Sequence, residues 1–118
     1  MGRVVDVCEC LYYSCSMASV PFDLDLLEEP WPFEIDDQVS HLFKHPYLGI
    51  EDIAEVWMSD PLFYPAQPPA HWLMVAEVSG QVLVVPLAPS RSGNPSRCRP
   101  IGCYVAADHL AKSYKEDR

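Results

Sequence analysis

The chain has eight Lys and Arg, four His and six Tyr able to do acid–base or anion chemistry, among them the adjacent pair Lys44-His45, then His71 beside Trp72, Arg99, and Tyr104. Lys and Arg stabilise negative charge as it develops. His accepts or gives a proton near neutral pH, and Tyr holds its proton to about pH 10. Each also has a plain structural reading. Lys44-His45 falls at the end of an expected helix, where the dipole favours cations. His71 and Arg99 read as strand residues, and Tyr104 as a core filler. His109 reads as a surface residue.

Thiol and metal chemistry is poorly supported. The five cysteines are Cys8, Cys10, Cys15, Cys98 and Cys103, an odd count for a disulfide framework. Neither Cys8-x-Cys10 with Cys15 nor Cys98 and Cys103 with His109 has the C-x-x-C spacing of a tetrahedral zinc site. Cys98 and Cys103 lie five apart on one expected strand. They should point to opposite faces, which forbids a bond between them. The thiols read as reduced and the protein as cytoplasmic. Trp31, Trp57, Trp72, Phe63 and Tyr64 offer an aromatic platform for bases, although core filling accounts for them more simply.

The charge is strongly uneven. The chain has 118 residues and a net charge of −9, a field that repels nucleic acid and anionic membrane. Residues 1–32 carry −5 and residues 33–85 carry −7, whereas residues 86–118 carry +3. Only the last third suits a phosphate backbone. Hydrophobic residues at 49% permit one packed domain, and the length permits little more. No stretch approaches the roughly 20 apolar residues of a membrane span. Asp6 and Glu9 interrupt any leader-like run.

These residues must be positioned by an α+β arrangement with two N-terminal helices, a mainly antiparallel four-stranded sheet and a C-terminal helix. Residues 1–31 lack periodicity and read as a flexible N-terminal extension, with Met17 an alternative start and Leu24, Leu26 and Leu27 able to dock. The domain is expected over 32–118. Ile35, Val39, Leu42 and Phe43 share one helical face, stopped by Pro46. Ile50, Ile53, Ala54 and Trp57 share another, closed by Asp60-Pro61. Leu62–Tyr64 is a short strand. His71–Val78 and Gln81–Leu87 form a hairpin around Ser79-Gly80. Pro86 predicts an edge or a bulge near that end. Arg97–Tyr104 reads as the last strand and Ala107–Lys115 as a closing helix, with Leu110, Ala111 and Tyr114 inward.

Taken in order, PFEIDDQVSHLFKHPYLGIEDIAEVW, HWLMVAEVSGQVLVV and CRPIGCYVAADHLAKSY resemble the opening, central hairpin and closing strand–helix of BrnT-type ribonuclease toxins. The resemblance spans about residues 32–117. It implies a RelE-like fold and RNA cleavage without metal or other cofactor, in which clustered cations orient the phosphate while the 2′-hydroxyl attacks. By position, Lys44 and His45 match the family's Lys-His pair and Arg99 the Arg of its closing strand. His71 stands where an Arg is usual, and is implied as acid or base. Tyr104 replaces a second Arg and is implied as a proton donor. Gly102 replaces a hydroxyl residue, His41 an Asn, and Asp108 and Leu110 a basic and an acidic residue.

The expected function is therefore the toxin half of a toxin–antitoxin pair, cutting RNA with a partly degenerate site. Its partner would be a small DNA-binding antitoxin, with RNA as substrate, no membrane association and the oligomeric state open. The alternative is a catalytically inactive domain of the same fold that binds a protein. The acidic balance, Gly102 and the Tyr at position 104, which removes a bidentate phosphate fork, favour the alternative, whereas Lys44, His45 and Arg99 favour the toxin.

Overall fold

A computed structural model describes residues 3–4, 22–35 and 49–118. The elements are β1 (Arg3–Val4), a 3-10 turn (Leu24–Leu26), α1 (Ile50–Met58), β2 (Leu62–Pro65), β3 (Trp72–Val78), β4 (Gln81–Pro89), β5 (Cys98–Pro100), β6 (Tyr104–Val105) and α2 (Asp108–Asp117). The α+β class, the mainly antiparallel sheet and the C-terminal helix are as expected. Two α-helices occur among the described residues. The helix expected from Ile35 to Phe43 lies mostly outside them.

Among the described residues the sheet has six strands rather than four, in the order β1-β2-β3-β4-β5, with β6 also paired to β4. Arg3–Val4 adds parallel to β2, and the other pairings between these strands are antiparallel. The β3–β4 hairpin turns on Ser79 and Gly80, whose φ angles of 53° and 84° are those of a type I′ turn. That turn matches the twist of the strands it joins.

The expected last strand is split in two, and Pro86 explains the break. β5 pairs Arg99 with Ala88 and Pro100 with Leu87, whereas β6 pairs Tyr104 with Val84 and Val105 with Leu83. Between these registers the outer strand gains one residue, which makes a bulge. Pro86 O accepts from Ile101 N at 2.9 Å, so its missing N–H would have pointed to the same side. The ladder breaks where no donor exists. Pro86 is thus an interior-strand residue opposite a bulge, one of the two outcomes its position predicts.

The extra residue also shifts the side-chain parity. Cys98 and Cys103 both lie in the same buried cluster, contrary to the opposite faces expected of an unbroken strand. A one-residue insertion moves everything after it to the other face.

Both faces of the sheet are covered. On one, Phe63, Trp72, Met74, Ala76, Leu83, Val85 and Leu87 pack with Ile53, Val56 and Trp57 of α1 and with Leu24, Leu27 and Phe33. On the other, Leu62, Tyr64, Val75, Val82 and Val84 meet Tyr114, with Leu110 and Ala111 against them. The two-sided burial explains why β3 and β4 are nearly continuous apolar runs. The inward face of α1 is Ile53, Val56 and Trp57, at i, i+3 and i+4; Val56, rather than Ala54, is the third core residue. Asp52 caps the helix by accepting from Gly49 N at 2.7 Å.

Residues 22–34 lie against the first face. Leu24 and Leu27 enter the core, while Leu26 stays 53% exposed. Two indoles hold this segment: Trp57 Nε1 donates to Pro30 O at 2.8 Å and Trp72 Nε1 to Phe22 O at 2.9 Å. Phe33 makes a parallel bridge to Cys98, and its ring stands edge-on to Trp57 at 5.3 Å.

Candidate functional site

Lys44 and His45 lie outside the described residues. His71, Arg99 and Tyr104 are all described, and the sheet register places each of them.

His71 immediately precedes β3. Its N–H donates to Leu87 O at 2.7 Å, and its carbonyl accepts from Ala66 N at 3.1 Å. The ring stacks on Phe22 at 5.8 Å with 24° between planes. Nδ1 is buried without a hydrogen-bond partner. Burial pushes the imidazole pKa below its ordinary value. The side chain is a neutral ring with one nitrogen closed off, which suits packing better than proton transfer at that atom.

Arg99 stands on β5 opposite Ala88. It is partly buried, and its Nε donates to Pro89 O at 2.9 Å. Tyr104 stands on β6 opposite Val84 and is 41% exposed. Burial raises its pKa, so the phenol keeps its proton more firmly than usual.

The register sets the spacing between them. Ala88 and Val84 are four residues apart on β4, or about 13 Å along a strand. The Arg99 hydrogen bond to Pro89 turns the guanidinium further from Tyr104. His71 and Arg99 occupy the same end of the sheet, on strands either side of β4, and hence about 10 Å apart. His71 and Arg99 share one end of the sheet with β4 between them, and Tyr104 belongs to another stretch of it.

The positions that depart from the toxin pattern have separate physical settings. Leu110 of α2 is partly buried against the core, where an acid would be partly desolvated. Gly102 needs no special backbone, and an added Cβ would meet the Pro86 ring at 3.6 and 3.7 Å, ordinary contact distances. A small hydroxyl side chain would therefore fit at Gly102.

Other cations serve the fold. Arg97, which the sequence did not single out, donates Nη2 to Phe33 O at 3.0 Å and reaches Glu28 at 3.1 Å and Glu34 at 3.4 Å. The signal available was the acidic run up to residue 37, which contains only Arg3 as a cation. Arg118 pairs with Glu77 at 3.1 Å and lies over the Tyr114 ring. Cys98 and Cys103 are buried thiols, each pushed up to about 12 chiefly by burial, which makes them poor nucleophiles. Among the described residues, no group of three His, Cys, Asp or Glu side chains could hold a metal ion, and no helix is long and apolar enough to cross a membrane.

Comparison with protein-family models, with curated proteins and with solved structures gave no match.

Proposed function

We propose that this chain is a BrnT-like, RelE-like domain whose ribonuclease site has decayed and which acts by binding a protein. The observation that carries this reading is the orientation of Arg99. Its Nε is bound to Pro89 O, while Tyr104, the residue at the second Arg position, is set about 13 Å away along the sheet. Phosphoryl chemistry needs several cations at one place because charge grows in the transition state. Two of the remaining described arginines, Arg97 and Arg118, are engaged with carboxylates. The acidic balance of residues 1–85 also disfavours RNA.

The competing reading is a metal-independent ribonuclease toxin restrained by a small DNA-binding antitoxin. It rests on Lys44, His45 and Arg99. RNA cleavage by the purified full chain separates the two, with the Lys44→Ala/Arg99→Ala double variant as control. A folded sample that leaves RNA intact supports the binding role. Cleavage that vanishes in the double variant overturns it and establishes the enzyme.

A further inference from the structure

We infer that His71 is a proton-operated catch on residues 22–31, so that protonation of its ring loosens that segment from the sheet. The inference stands apart from the proposed function and rests on local geometry.

Neutral imidazole carries one N–H, and with the proton on Nε2 the other nitrogen is a bare acceptor. In His71 the closed-off atom is Nδ1, buried with no partner. The imidazolium must donate from both nitrogens, so Nδ1–H would become a charged donor sealed from water. Such a group costs much more than an unmet neutral acceptor. The ring as a whole is only partly buried, but Nδ1 is closed off where it stands, and moving that atom to water disturbs the stack on Phe22 at 5.8 Å.

Phe22 is mechanically coupled to the rest of the segment. Its carbonyl receives the Trp72 indole N–H at 2.9 Å. Next to it, Asp23 caps the 3-10 turn by accepting from Asp25 N at 2.9 Å, and that turn delivers Leu24 and Leu27 to the core. Displacing Phe22 therefore pulls on the turn and on its two buried leucines.

Among the described residues, no carboxylate of the elements packed against the ring is set to receive the new charge. Asp23, Asp25, Glu28 and Glu29 of the segment are exposed, and Glu28 is paired with Arg97. The 66–70 loop and the Leu87–Pro89 end of β4 hold no charged residue. Arg99, the nearest cation by register among the described residues, has its Nε on Pro89 O. Burial lowers the His71 pKa, in line with a disfavoured imidazolium. The sign follows: the clasp holds fully above the ordinary histidine value of about 6.5 and weakens as pH falls below it.

The test is amide hydrogen exchange on the full chain between pH 7.5 and 5, corrected for intrinsic rates. The reporters are Leu27 and Glu28 in the segment and Val84 in the sheet. Protection at Leu27 and Glu28 should fall below about pH 6.5, by up to about tenfold per pH unit, while Val84 keeps its protection. His71→Phe, which keeps the stack and cannot titrate, should abolish the difference. His71→Gln serves the same purpose if the Phe variant does not fold. Parallel loss at Val84, equal loss in the substituted proteins, or no loss in the wild type would each overturn the inference.

Discussion

Arg97 donates Nη2 to the carbonyl oxygen of Phe33 at 3.0 Å, joining residues far apart in sequence at the start of β5. The backbone repeats the junction: Cys98 N donates to Pro32 O and Glu34 N to Cys98 O, at 3.0 and 2.8 Å. The segment before α1 is thereby sewn to the sheet beside the bulged strand.

Replacing Arg97 with Ala should cost about 1–3 kcal/mol of folding stability, measured by urea denaturation, because a charged hydrogen bond to a carbonyl is lost. The Glu28 and Glu34 pairs add little, being partly exposed. Glu28→Gln should therefore change stability by less than about 0.5 kcal/mol. A Glu28→Gln cost equal to that of Arg97→Ala would show that the ion pair, and not the carbonyl bond, carries the junction.

Trp57→Phe removes the indole N–H that reaches Pro30 O but keeps an aromatic ring against Phe33. A loss of about 1–3 kcal/mol is expected. Trp57→Ala should cost about 3–5 kcal/mol, since a cavity opens as well. Thermal melts of the two variants check the ordering.

Two glycines should behave oppositely. Gly80 has φ of +84°, a left-handed turn position, so Gly80→Ala should destabilise the hairpin by about 1 kcal/mol or more. Gly102 has no such angle and has room beside Pro86. Gly102→Ala should lie within about 1 kcal/mol of neutral. A large loss at Gly102 would mean that the bulge itself demands glycine.

Cys98 and Cys103 should resist alkylation at pH 8 in the native protein and react once it is denatured, since both thiols are raised to about 12. Their folded values exceed the ordinary value of 9.0, so the unfolded chain loses these protons first. Stability should therefore be intact below about pH 9 and fall as pH rises from there towards 12. Cys98→Ala should lessen that alkaline decline, as read by denaturation at pH 8 and pH 10. An unchanged slope would place the alkaline loss elsewhere.

Much of the architecture was legible in local sequence, because its causes are local. Ser79-Gly80 marks a turn by backbone preference alone. Pro86 announces a missing donor, and Leu110, Ala111 and Tyr114 share a face by helical periodicity. These signals were enough for the β3–β4 hairpin, the closing helix and the α+β class.

What depended on the partner strand was decided only in three dimensions. Whether Pro86 made an edge or a bulge turned on β5 and β6 sharing β4, and the resulting one-residue shift put Cys98 and Cys103 in the same core. The same holds for the candidate site. Types and order brought His71, Arg99 and Tyr104 into one list, but their distances come from strand register, which couples residues far apart in the chain. Register placed His71 and Arg99 at one end of the sheet and Tyr104 along another stretch, while Arg97, unremarked in the sequence, became a fastening through Glu28, Phe33 and Glu34. Turn and helix preferences belong to a few neighbouring residues and can be read from them. The convergence of side chains belongs to the packed whole.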